Sequence, residues 1–312
     1  MSDPLPQLPP RPAGGHKGTF GAVAVVGGCA RKPSDDDPAP ASMVGGPALS
    51  AIAALRAGAG LARLLVPEPL VPAALTIAPS ATGVPLPVNH ADHDLNPAGA
   101  AAALDEAMGA SACVVAGPGL GVSPGARAVT LRLVGQNAVP LVLDADALNA
   151  LASLEDVGPD VRAPAVLTPH PGEFARLARS LGLDADAVAD PSAAAGALAR
   201  RLGVVVVLKG AQTALSDGVR DWVHDRPNPA MGTAGTGDVL CGLLGGLIAQ
   251  HVRVTPVGPR GMDLYDAARL AVAIHADAGA RWAADTGCRG GMLAAELADR
   301  LPPAVEARRG SE

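Results

Sequence analysis

Short runs of β-branched residues alternate with longer Ala- and Leu-rich stretches along most of this chain, and that alternation constrains the fold more than any other feature. Ala22 to Val26, Leu61 to Val66, Ala112 to Ala116, Leu141 to Leu143, Ala165 to Leu167 and Val204 to Leu208 read as strands. Between them lie helical patterns over Val44 to Ala59, Pro97 to Met108, Pro124 to Gly135, Pro171 to Leu181 and Pro191 to Leu202. Such alternation builds βαβ units and a parallel sheet. Several of the strands are apolar at successive positions, as expected where helices cover both faces. After Leu208 the pattern changes: Thr213 to Leu215 and Val219 to Val223 flank the turn signal Ser216-Asp217-Gly218, which predicts a hairpin. Asp238 to Gln250, Leu264 to Ala284 and Gly291 to Arg300 follow as helices. The expected fold is therefore α/β in three layers, a mostly parallel central sheet flanked by helices with an antiparallel edge hairpin.

With 312 residues and 49% hydrophobic content, the chain can bury a full core. No linker or repeat divides it, so a single catalytic domain over residues 15–304 is expected, with a flexible tail over 1–14 and a second tail over 305–312. The balance of 24 basic against 30 acidic residues gives a net charge of -6 and contains no basic run, which argues against nucleic acid as a partner. Four widely spaced cysteines, Cys29, Cys113, Cys241 and Cys288, fit a reducing cytoplasm and small core or loop positions better than a zinc ribbon or disulfide scaffold. The Pro-rich start lacks signal-peptide order, and the longest apolar run, Val239 to Ala249, is too short for a bilayer. A cytoplasmic location away from any membrane is expected.

In an open parallel sheet, ligands bind outside the carboxyl ends of the strands. The loops there are rich in glycine and polar groups: Gly27-Gly28, Gly117-Pro118-Gly119-Leu120-Gly121, Asp144 to Asn149, Thr168 to Glu173, and Lys209-Gly210-Ala211-Gln212-Thr213. The Gly117 to Gly121 spacing is too compressed for a dinucleotide fingerprint and reads as a tight turn, a ligand wall, or both. Asp146 is positioned to cap a helix, whereas Asp144 is open to an ion or substrate role. Glu173 either favours a helix dipole or holds Mg²⁺ directly or through water. Lys209, emerging from a buried strand, is placed to meet a nucleotide phosphate. His90 and His93, interleaved with Asp92 and Asp94, read as a solvated loop, and Arg31 to Ala41 as a Pro- and Asp-rich loop. Lys17 has no assigned role.

The segment Gly232-Thr233-Ala234-Gly235-Thr236-Gly237-Asp238 runs straight into the apolar helix beginning Val239-Leu240. Free amides at such a helix start form an anion hole over Gly235, Thr236 and Gly237. Asp238 beside it either takes a proton from a hydroxyl undergoing phosphorylation or complements the helix dipole.

Taken together, these motifs resemble the ADP-dependent (S)-NAD(P)H-hydrate dehydratases of the ribokinase-like superfamily. The resemblance runs from His16-Lys17-Gly18 through Leu143-Asp-Ala-Asp-Ala-Leu-Asn, Thr168-Pro-His-Pro-Gly-Glu and Val207-Leu-Lys-Gly-Ala-Gln-Thr to Gly235-Thr-Gly-Asp. It implies that ADP phosphorylates the hydrated nicotinamide ring and that phosphate is then eliminated, restoring NADH or NADPH and releasing AMP. It also implies that Ala48, Gly119, His170 and Asp238 contact the hydrated dinucleotide. By the same resemblance Lys209, Gly210, Ala211, Gln212, Thr213 and Gly237 would bind the adenine nucleotide, Asp238 would act as base, and Mg²⁺ would offset charge. The resemblance implies a homo-oligomer, often a tetramer, and, since no epimerase domain is evident, a separate epimerase as functional partner. Ala234 where such proteins often carry Gly, Cys29 in place of Ser, and the insertion-like Arg31 to Ala41 loop depart from the pattern. The alternatives are a ribokinase-like small-molecule kinase, such as a vitamin-precursor kinase, or an inactive nucleotide-binding regulator.

Overall fold

A computed structural model describes residues 4–32, 41–154, 161–253 and 260–310. Its strands are β1 (Ala22–Val26), β2 (Cys29–Arg31), β3 (Ala41–Met43), β4 (Leu61–Pro67), β5 (Thr82–Leu86), β6 (Cys113–Ala116), β7 (Leu141–Leu143), β8 (Ala165–Leu167), β9 (Val205–Leu208), β10 (Thr213–Ser216), β11 (Asp221–His224), β12 (Val252–Arg253) and β13 (Arg260–Gly261). The helices are α1 (Gly45–Arg56), α2 (Val71–Ile77), α3 (Pro97–Gly109), α4 (Pro124–Val134), α5 (Asp146–Ala152), α6 (Pro171–Ser180), α7 (Pro191–Leu202), α8 (Thr236–His251), α9 (Leu264–Thr286), α10 (Ala294–Asp299) and α11 (Leu301–Glu306).

Nine strands form one sheet in the order β11-β10-β9-β8-β7-β6-β1-β4-β5. From β9 to β5 all neighbours are parallel, and β10 reverses against both β9 and β11. Successive strand residues serve opposite faces: Val23 and Val25 join one apolar core, Ala24 and Val26 the other. This is why β1 reads as an uninterrupted apolar run rather than an alternating one. One core lies under α1, α8 and α9, the other under α3 to α7.

Helix α8 lies unusually close to its neighbours, and its glycines are the reason. A Cβ on Gly242 would lie 2.1 Å from the Ser50 carbonyl oxygen of α1, and one on Gly245 would lie 2.5 Å from Val115 Cγ2 of β6. No side chain fits in either place, so α8 is wedged between α1 and the sheet. That wedge brings its N-terminus to the carboxyl ends of the strands.

Several expectations are corrected by the structure. The edge strand β5 was not expected, because Gly83 and Pro85 lie within it; an edge tolerates the amide that Pro lacks. The helix expected over Gly291 to Arg300 starts at Ala294, and Leu301 opens a separate helix. In the segment expected to be a flexible N-terminal tail, Leu8 is 1% exposed and exchanges backbone hydrogen bonds with Arg308 and Gly310. Asp94, expected in a solvated loop, is buried and accepts from the Ser123 hydroxyl and from Gly125 N. Most of the Arg31 to Ala41 loop lies outside the described residues. Among the described residues, no helix is long and apolar enough to cross a membrane.

Candidate active site

The site assembles where α8 begins. Gly235, at φ 89°, lies in the left-handed region and turns the chain into α8, and no side chain caps this end. The first amides of a helix have no partner within it, so those of Thr236, Gly237 and Asp238 are available to an anion. The Thr236 hydroxyl faces the Met231 and Thr233 carbonyls at 3.1 and 3.0 Å, which braces the approach loop. The Thr236 carbonyl lies 2.9 Å from His275 Nε2. A carbonyl only accepts, so that nitrogen carries the proton, and burial lowers the His275 pKa to about 4, keeping the ring neutral.

A cavity of about 480 Å³ opens on one side of this helix start. Lys209, Gly210, Ala211, Thr213, Thr236 and Gly237 line it, so most of the expected nucleotide-binding residues and two of the anion-hole residues converge there. Gln212 is not in its wall, and Gly235 lies beneath, where a Cβ would meet Ala294 and Leu49. The opposite wall contains His224, Arg226, Asn228, Met231, Val272 and His275. The sequence reading missed all of these; the Pro227-Asn228-Pro229 turn was the one available signal, since His275 sits on an otherwise apolar helix face.

Asp238 points to the other side of the helix start, toward α1. A Cβ on Gly46 would lie 3.2 Å from both of its carboxylate oxygens, and its own carbonyl accepts from Ser50 Oγ at 2.9 Å. Burial, followed by the nearby negative charge of Asp144, raises the Asp238 pKa to about 6, with Lys209 pulling in the opposite direction. A carboxylate held there is ionised at neutral pH yet basic enough to accept a proton.

Beneath Gly237 lies a compact charge cluster. Lys209 Nζ is 2.5 Å from Asp144 Oδ1 and 4.0 Å from Glu173 Oε2, and Cys241 Sγ lies 3.1 Å from Asp144 Oδ2. Lys209 is therefore already paired with a buried carboxylate, a partner not expected from its sequence position. Its pKa is raised: desolvation works against the rise, and Asp144, with Cys241 and Glu173, outweighs it. Glu173 completes a capping box with His170, accepting from the His170 amide at 2.8 Å while His170 Nδ1 accepts from Gly172 N at 2.9 Å. Its pKa is raised by burial despite the nearby ammonium.

Of the expected dinucleotide contacts, His170 stands half exposed at the start of α6. Gly119, at φ 59°, packs its Cα side against Met43. Ala48 is fully buried within α1. Asp146 does not cap α5: Ala145 occupies the cap position, and the Asp146 carboxylate instead accepts from Gly121 N at 2.9 Å. Three cysteines are buried and Cys288 is exposed, all as free thiols.

At the carboxyl ends of a nine-stranded α/β sheet, an uncapped helix start, a cavity and a perturbed carboxylate come together, as in the ligand-binding crevice of an open α/β fold. The sequence profile of the NAD(P)H-hydrate dehydratases matches residues 40–303, and the chain belongs to that family. An ADP-dependent (S)-NAD(P)H-hydrate dehydratase from Xanthomonas campestris is 37% identical over 301 residues, which is 94% of this chain and 91% of that protein. A bifunctional NAD(P)H-hydrate repair enzyme Nnr from Salinibacter ruber is 36% identical over 97% of this chain, which spans only 51% of that longer protein. Among solved structures, the ADP/ATP-dependent NAD(P)H-hydrate dehydratase of Bacillus subtilis, crystallised with ATP and Mg²⁺, superimposes with a TM-score of 0.74 at 26% identity, covering 98% of this chain and 99% of that one. A ribokinase-like superfamily protein of Enterococcus faecalis, 20% identical over 97% of this chain and 93% of that one, shares the fold with a TM-score of 0.72.

Proposed function

We propose that this chain catalyses the ADP-dependent dehydration of the S epimer of NADH hydrate and NADPH hydrate. ADP would lie in the 480 Å³ cavity, its terminal phosphate against the amides at the start of α8. Asp238 would take the proton from the ring hydroxyl as that oxygen attacks the phosphorus, and AMP would leave. Loss of phosphate and a ring proton then restores the double bond of NADH or NADPH. The observation that carries this reading is the position of Asp238, in the first turn of α8 beside the unpartnered amides, with its pKa raised to about 6.

Among the described residues, no group of three or more His, Cys, Asp or Glu side chains is arranged to cage a metal. Mg²⁺ needs no such cage when substrate phosphates and waters supply most of its oxygens. Glu173, a hard carboxylate 4.0 Å from Lys209, fits an ion that arrives with the nucleotide, and would hold it directly or through water. When bound, Mg²⁺ would neutralise charge on the transferring phosphoryl group.

The same reading extends to Ala48, Gly119 and His170 on the dinucleotide side, to a homotetramer in the cytoplasm, and to a separate epimerase that converts the other hydrate. Purified protein incubated with hydrated NADH, Mg²⁺ and either ADP or ATP should restore the nicotinamide absorbance. No recovery with either nucleotide sinks the dehydratase reading.

A further inference from the structure

Ala145 adopts φ 50° and ψ −120°, a conformation that L residues other than glycine rarely take. Such a residue stores strain and persists only where its surroundings enforce it. The carboxylates on either side show what the strained turn holds in place. Asp144, 2% exposed, receives the Lys209 ammonium at 2.5 Å and the Cys241 thiol at 3.1 Å. Asp146 turns the other way and accepts from Gly121 N at 2.9 Å. One turn thus joins the cation at the end of β9 to the glycine loop at the end of β6.

The Lys209–Asp144 pair also touches the anion loop. A Cβ on Gly237 would lie 3.4 Å from Lys209 Nζ and 3.5 Å from Asp144 Oδ2, so Gly237 rests directly on the pair. An ammonium has three donors. One is taken by Asp144, Glu173 Oε2 lies 4.0 Å away, and Lys209 still lines the cavity. A flexible four-carbon stem would not hold that charge in one place unaided.

We propose that Asp144 is a positioning residue for phosphoryl transfer: fixed by the strained turn at Ala145 and by Cys241, it holds the Lys209 ammonium beneath Gly237, where a remaining donor meets the nucleotide phosphates. The proposal rests on the function given above for this site. The cysteine contributes through α8 itself, since Cys241 lies one turn beyond Gly237 and carries the helix position to the carboxylate.

The test is a double-variant cycle read by calorimetry with MgADP on wild type, Asp144→Asn, Lys209→Gln and the variant with both changes. Each single change should weaken ADP binding about tenfold, and the pair no more than either alone, because residues acting as a unit are not additive. In kinetics, the KM for ADP should rise about tenfold while the KM for the hydrated dinucleotide stays unchanged, a split that general loss of structure would not produce. Removing both charges leaves neither member of the pair buried without the other, so the double variant should fold even if Asp144→Asn alone does not. Compared with Lys209→Gln, it should then bind ADP equally well. Wild-type affinity in Asp144→Asn, or a further tenfold loss in the double variant, overturns the proposal. If the cycle couples as expected but hydrated NADH is not converted by wild type, the dehydratase reading fails and the role of Asp144 stands.

Discussion

Asp238→Asn should make the protein more stable while abolishing its turnover, and the size of the effect follows from the site. The Asp238 pKa rises from its ordinary 3.8 to about 6, chiefly because burial disfavours the charged form and then because Asp144 is close by. The sign is opposite to that of a salt-bridged carboxylate: the folded state binds this proton more tightly than the unfolded one. Ionised Asp238 therefore destabilises the fold fully above pH 6, and the penalty fades as pH falls toward 3.8 and below. At 1.36 kcal/mol per pKa unit it approaches about 3 kcal/mol. The carboxylate is only partly buried and still meets water, which brings the expected figure to about 1–3 kcal/mol. With an unfolding entropy of about 2.1 cal/mol/K per residue over a chain of this length, the Asn variant should melt about 2–5 °C higher at pH 7.5. At pH 4.5 the advantage should shrink to about a third. Thermal denaturation of both proteins at the two pH values, with kcat expected to fall about 10²–10⁴-fold, reads the whole argument. An Asn variant that melts no higher at pH 7.5, or whose advantage is as large at pH 4.5, refutes it.

As the base must be ionised, kcat/KM of the wild type should fall about tenfold per unit below pH 6, the value to which Asp238 is raised; a flat profile down to pH 5 would remove it as base. Gly242→Ala should destabilise the fold by about 3 kcal/mol, since its Cβ would press on the Ser50 carbonyl from 2.1 Å, and denaturant unfolding with an unchanged midpoint would contradict the wedge packing of α8. Ala145→Gly should stabilise by about 1 kcal/mol, relief of strain outweighing the added freedom of the unfolded chain, and a lower melting temperature would show that no strain is stored there.

How much of this was legible in the sequence depended on whether a residue's role was local. The inner strands were readable because burial on both faces leaves them apolar at every position, as in Val23 to Val26. Edge positions obey no such rule, and β5 was hidden by the Gly and Pro that its edge location permits. Leu8 gave no signal, a lone apolar residue in a Pro-rich stretch whose backbone partners, Arg308 and Gly310, lie some three hundred residues later. The glycine-rich turn into α8 was evident because its glycines and the helix they start are contiguous. Lys209 was placed in the site but not in its pair, since Asp144 is 65 residues away and nothing in either segment names the other. His275 gave no signal because its neighbours on α9 are core; the cavity beside it and the approach of the Thr236 carbonyl distinguish it only in three dimensions.

In the proposed reaction, the start of α8 separates two chemistries that must not mix. Its amides and Gly237 face the cavity, where negative charge is welcomed, whereas Asp238 faces α1, away from that cavity. Had the carboxylate shared the phosphate's side, repulsion would have raised its pKa further on nucleotide binding and disarmed it as a base. Directing it toward Gly46 keeps the two charges on different faces of one helical turn, and Ser50 Oγ, donating to the Asp238 carbonyl at 2.9 Å, fixes that turn to α1. The tighter fit is on the carboxylate's side: a Cβ at Gly46 would crowd the Asp238 oxygens from 3.2 Å, whereas one at Gly237 would only touch Lys209 and Asp144 at 3.4 and 3.5 Å. Gly46 thus holds space for charge, and on the proposed mechanism the acceptor hydroxyl would reach Asp238 from the side on which Gly46 leaves room.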